Sequence, residues 1–108
     1  MTPAARLSAA IGLLDDILRQ KRPLAQALKD WGVANRYAGS GDRNAVGNLV
    51  HDSLRVKASA AWLMGAREGE EEPRAILLGM LRALRGMPVE AIATLCNGER
   101  FAPAPLSI

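Results

Sequence analysis

Few residues of this chain carry side chains suited to bond-making chemistry, and their spacing sets none of them to work together. His51 is the only histidine and Cys96 the only cysteine, so one chain cannot supply a His-Cys or multi-His zinc set. Cys96 lies in "TLCNG", on the last turn of a short helical pattern, with no histidine near it in sequence to activate the thiol. A small buried residue is what that setting describes. His51 falls between the apolar rows of its helical pattern, which makes it a surface or boundary residue rather than a general base. Asp15 and Asp16 are adjacent, so on a helix they point about a quarter-turn apart and do not face each other as an acid-base pair would. The "EGEEE" run at 68–72 lacks the spaced side-chain and carbonyl ligands of a calcium loop.

One stretch invites a phosphate-binding reading. "YAGSGDRNAVGNLVHDSLRVK", Tyr37 to Lys57, opens on Gly-Ser-Gly and runs into a helical pattern. A Walker-type loop needs a Lys-Ser or Lys-Thr pair after its second glycine, and a dinucleotide fingerprint needs three spaced glycines after a buried strand. Neither is present. The glycines mark a turn, with Ser40 or Asp42 as the expected helix cap.

What remains is charge. From Met1 to Arg67 there are ten Lys or Arg against five Asp; from Glu68 to Ile108 there are four Arg against six Glu. The first part is therefore the part that can face a polyanion. Arg36, Arg43, Arg55 and Lys57 bracket one helical pattern, while Arg6, Arg19, Lys21 and Arg22 belong to the first helix and its exit. If those two helices are neighbours, Arg6, Lys21, Arg22, Arg36, Arg43, Arg55 and Lys57 are the candidate contacts to a nucleic-acid backbone. Trp31, Tyr37, Trp62 and Phe101 are the only aromatic side chains, and both tryptophans read as core, so stacking on single-stranded bases is not expected.

The elements that must position these residues are helical. Hydrophobic residues are 49% of the chain but aromatics only 4%, so the core is built from Leu, Ile, Val, Met and Ala, a balance that suits packed helices better than a sheet. Thr2 and Pro3 start a helix to about Gln20, with Leu7, Ile11, Leu14 and Leu18 as its buried stripe and Ala10 and Ile17 beside them. Pro23 starts a second, with Leu24, Ala27, Leu28 and Trp31 on one face. Val46, Leu49, Val50, Ser53 and Leu54 line a third. A short fourth helix is expected in "ASAAWLMG", followed by a polar, mobile loop, "AREGEEEPR". Pro73 begins a fifth, with Ile76, Leu77, Met80, Leu81 and Leu84 apolar and Gly86 as its stop. A sixth runs from Pro88, with Val89, Ile92 and Leu95 apolar, to Gly98. "FAPAPLSI" reads as an extended linker. The expected fold is an all-α, compact bundle of five to six helices. At 108 residues the chain fits one domain with one core.

The order of three segments resembles a known family. "AARLSAAIGLLDDIL", "GDRNAVGNLVHDSLR" and "PRAILLGMLRAL" are similar to the NusB-like N-terminal domain of RsmB-type (NOP/Sun family) RNA cytosine methyltransferases. The matching positions are Asp42-Arg43, Leu49-Val50 with Leu54-Arg55, and Leu78-Gly79-Met80-Leu81-Arg82. The resemblance implies a NusB-like domain over residues 1–100 and, at 101–108, the start of a linker toward a methyltransferase domain. It also implies a role: binding ribosomal RNA and presenting it to that catalytic domain in cis, where S-adenosylmethionine and a cysteine pair methylate cytosine carbon five. Cys96 does not match the family's catalytic contexts and no second cysteine exists, so the resemblance assigns neither catalysis nor the cofactor to these residues.

Two other classes are carried alongside. A NusB-type protein adaptor would use an apolar groove, with a homodimer among its arrangements. A small enzyme would need Cys96 in a cleft beside a carboxylate. No apolar run reaches the length of a membrane span and no signal-peptide pattern opens the chain, so a cytoplasmic protein is expected.

Overall fold

The computed structural model describes residues 1–36, 38–57, 73–96 and 98. Among them are five α-helices: α1 (Pro3–Arg19), α2 (Leu24–Ala34), α3 (Ser40–Arg55), α4 (Pro73–Ala83) and α5 (Val89–Leu95). The expected fourth helix, the acidic run after it and the C-terminal tail lie outside the described residues.

The start of α1 follows from its first residues. Thr2 is extended and its hydroxyl accepts a hydrogen bond from the Ala5 amide at 3.0 Å, while Pro3 stands where a missing N–H costs nothing. The helix buries Leu7, Ala10, Leu13 and Leu14, a stripe rotated from the expected one: Leu13 is inside, and Ile11 and Leu18 are only half-buried. The rotation reflects what α1 packs against, because it touches each of the other four helices. A helix at the centre of a bundle buries more than a single narrow row.

α3 and α4 supply most of the opposing surface. Val46, Leu49, Val50 and Ser53 of α3 are buried, and Ile76 to Leu81 of α4 are buried without interruption. One cluster joins residues of all five helices, and Cys96 belongs to it. Each fully buried Leu or Val contributes about 1.5–3 kcal/mol relative to exposure, so this cluster is the main source of stability. The hydroxyl of buried Ser53 donates to the Leu49 carbonyl at 2.7 Å, which satisfies the polar atom inside the core.

Three details differ from the sequence expectation. α3 is capped by Gly39 in extended backbone with no side-chain cap bond, and Ser40 is its first helical residue. Asp42 is instead held by α1, as described below. Val89 and Leu84 are exposed, at 55% and 43%: Leu84 stands just beyond the end of α4, and α5 is a short helix that buries only Ile92 and packs Leu95 against the cluster. Trp31 is half-buried, packing against the cluster without entering it.

No helix among the described residues is long and apolar enough to cross a membrane.

Candidate nucleic-acid interface

The fold separates the basic residues into two groups by what their charges meet. In the first group the charge is answered. Arg6 of α1 donates Nε and Nη2 to the Oδ1 of Asp42 at 2.9 and 2.7 Å, and the N-terminal ammonium lies 3.2 Å from Asp42 Oδ2. The Arg6 bond is the largest reason the Asp42 carboxyl is held below its ordinary 3.8, and the ammonium adds to it against partial desolvation. Arg22 pairs with Asp30, and Gln26 donates to the same carboxylate at 2.8 Å; Gln26 first and Arg22 second draw the Asp30 carboxyl down. Asp52 accepts from Arg85 at 2.9 Å and from Arg55 at 2.7 Å, and Arg85 is the larger cause of its lowered carboxyl value. Arg19 lies 3.3 Å from Asp15, one helical turn back.

In the second group no ion pair among the described residues holds the charge, and Lys29 only adds, as the smallest of several causes, to the lowering of the Asp30 carboxyl. α2 and α3 both rest on α1, and a groove runs between them. One section of it, about 370 Å³, is lined by Leu28, Lys29, Gly32, Val33, Arg36 and Arg43. Among the described residues three cations and no carboxylate line this section. Among the described residues neither Lys29, Arg36 nor Arg43 is in an ion pair, and all three are exposed. Arg43 bridges the two helices: its Cδ lies 3.6 Å from where a Cβ on Gly32 would stand.

The groove continues past Arg43 into a second section of about 260 Å³, lined by Leu28, Trp31, Arg43, Asn44, Gly47, Asn48 and His51. Again no acidic side chain contributes among the described residues. By contrast, the larger hollow between α1 and α2, about 550 Å³, is lined by Asp15, Asp16 and Asp30 with Arg22. Among the described residues the two sides of α2 thus carry opposite charge, cationic toward α3 and largely acidic toward α1.

Of the seven residues singled out from the sequence, the structure brings Arg36 and Arg43 together. Arg6, Arg22 and Arg55 hold carboxylates, Lys21 stands at the α1–α2 turn, and Lys57 lies just beyond α3. Lys29 was not singled out. Its neighbour Asp30 hides it in a sequence, yet on the helix Asp30 turns to Arg22 and leaves Lys29 on the groove. The i, i+3, i+4 relation of Lys29, Gly32 and Val33 is the signal that was there to find.

The residues with bond-making potential are not assembled. Cys96 is 1% exposed, and burial pushes its thiol up, away from the thiolate a nucleophile needs. His51 lies on the groove rim, exposed. Among the described residues no group of His, Cys, Asp and Glu is placed to hold a metal ion. No strand occurs among them either.

No protein-family model matches the chain, and neither a curated protein nor a solved structure does.

Proposed function

We propose that this chain is an RNA-binding accessory domain that holds structured ribosomal RNA by its backbone and presents it to an S-adenosylmethionine-dependent cytosine-C5 methyltransferase domain in cis. The observation that carries the proposal is the α2–α3 groove, where Lys29, Arg36 and Arg43 share a wall without a carboxylate. The motif order described above supports the family, a NusB-like bundle, and the groove supports the kind of ligand. Uncompensated Lys and Arg side chains displace counterions from a phosphate backbone, which makes affinity fall with salt. RNA helices are recognised through such backbone and shape contacts.

The test is a salt titration of a structured ribosomal RNA fragment with this chain. Three phosphate contacts give a slope of log K against log salt of roughly −2 to −3. Arg36→Glu/Arg43→Glu should abolish the binding while helicity is retained. Binding that is equal in the double variant, or independent of salt, overturns the proposal.

A second reading, a protein adaptor, has one observation in its favour: exposed Leu84 and Val89 flank the turn between α4 and α5. That edge would serve a partner protein or the catalytic domain. Salt-independent capture of a partner, lost in Leu84→Glu/Val89→Glu, is the outcome that would favour it.

A further inference from the structure

We infer that the second section of the α2–α3 groove seats a single unpaired RNA base, so that the domain reads a bulged or looped nucleotide beside the backbone it grips. The inference rests on the RNA-binding reading and names the feature of the RNA that the site selects.

Four observations lead there. First, the section is continuous with the phosphate-facing one, because Arg43 and Leu28 line both. A base whose phosphates lie on Arg36 and Arg43 has this hollow next to it. Second, the size is about 260 Å³, below the roughly 300 Å³ at which pockets for drug-sized ligands begin, which leaves room for one planar group. Third, the lining is that of a base site. Trp31 offers aromatic surface from α2, and Asn44, Asn48 and His51 rise from one face of α3 at helical spacing. Among the described residues neither asparagine carboxamide finds a hydrogen-bond partner, and both are exposed. A carboxamide presents a donor and an acceptor side by side, the pattern that pairs with a base edge.

Fourth, Gly47 lies on the groove between these residues without a packing reason to be glycine. A Cβ built there meets nothing within 4 Å, and its φ is not in the left-handed region. In the middle of a 16-residue helix an alanine would serve the fold better. Glycine at this position leaves the space beside Asn44, Asn48 and His51 unfilled. The expectation from sequence that Trp31 is core, and that bases would not be stacked, changes with this placement: the indole is half-buried and lines an open hollow.

The experiment compares two RNA hairpins of the same length and charge, one fully paired and one carrying a single-nucleotide bulge, each of the four bases tested in turn. Binding is read by fluorescence anisotropy with the 108-residue chain at one salt concentration. Stacking on an aromatic side chain is worth roughly 5- to 100-fold in affinity, and at least one bulged hairpin should gain by that range over the paired one. Gly47→Leu should erase the gain and leave the paired hairpin's affinity as it was. Asn44→Ala/Asn48→Ala should reduce the gain without removing it. Gly47→Leu is expected to melt no lower than the parent, since it replaces a helical glycine on an open surface. Equal affinity of the parent for bulged and paired hairpins overturns the inference and leaves the RNA-binding reading standing. Survival of the gain in Gly47→Leu overturns it as well. Absence of binding to both hairpins overturns the RNA-binding reading, and the base site falls with it.

Discussion

Arg43 of α3 lies across Gly32 of α2, its Cδ 3.6 Å from the position of a Cβ on that glycine. The distance is ordinary van der Waals contact, so a methyl group fits, and a longer side chain would compete with Arg43 for the space. Gly32→Ala should therefore raise stability by about 0.5–1 kcal/mol, the gain of alanine over glycine inside a helix, and leave RNA affinity alone. Gly32→Leu should displace Arg43 and weaken RNA binding without unfolding the domain. Thermal melts and anisotropy on the two variants separate these effects.

The division of the arginines into answered and open charges makes a comparison between two charge reversals informative. Arg55 is already paired with Asp52, which Arg85 shares, whereas Arg36 and Arg43 meet no carboxylate among the described residues. Exposed ion pairs contribute only about 0–1 kcal/mol, so Arg55 is not locked away from a phosphate. Arg55→Glu/Lys57→Glu should weaken RNA binding less than Arg36→Glu/Arg43→Glu. A larger effect at positions 55 and 57 would move the surface to the C-terminal end of α3.

Asp42 joins α1 to α3 through Arg6, and its depressed carboxyl value ties that contact to pH. Because the folded value lies below the ordinary 3.8, the carboxylate stabilises the fold fully above that pH and loses its contribution as pH falls through the folded value. Asp42→Asn should melt at a lower temperature than the parent at pH 7. As pH falls from the ordinary 3.8 through the lower folded value the two melting temperatures should converge, since both side chains then become uncharged.

The fold was legible where a local signal and the tertiary contact agree. Thr2 and Pro3 announce α1, and the period of Ile76, Leu77, Met80 and Leu81 announces α4, because capping and an apolar face are properties of the segment itself. The burial of Leu13, absent from the expected stripe, and the exposure of apolar Val89 were not legible because burial depends on neighbours that a single segment does not contain. α1 is surrounded and buries an extra position; α5 is too short to bury its first one.

The same limit governs the site. The Arg6–Asp42 pair spans 36 positions and the Arg85–Asp52 pair spans 33, so no local pattern reveals that Arg6 is answered. Arg36 and Arg43 were visible as charges flanking a turn, but their joint freedom follows from Asp30 turning to Arg22 and Asp42 turning to Arg6. A charge count registers all these residues alike. Only the packing of α2 and α3 on α1 sorts them.

Two turns of the bundle have the same geometry and different sequences. After α4, Gly86 has φ 65° and the Met87 amide donates to the Leu81 carbonyl at 3.0 Å; after α1, Lys21 has φ 54° and the Arg22 amide donates to the Asp16 carbonyl at 3.3 Å. In both, a residue in the left-handed region reverses the chain and the next N–H reaches six positions back. Glycine adopts that conformation freely, which made Gly86 readable as a stop, whereas a lysine there carries a steric cost of roughly 1–2 kcal/mol. Lys21→Gly should remove the strain and, after the added entropy of an unfolded glycine, stabilise the domain by about 0.5–1 kcal/mol in a denaturant titration. RNA affinity measured beside it reports whether the Lys21 ammonium also touches the backbone. A variant that is more stable and binds equally well would confine the interface to the α2–α3 groove, and one that binds more weakly would extend it to the α1–α2 turn.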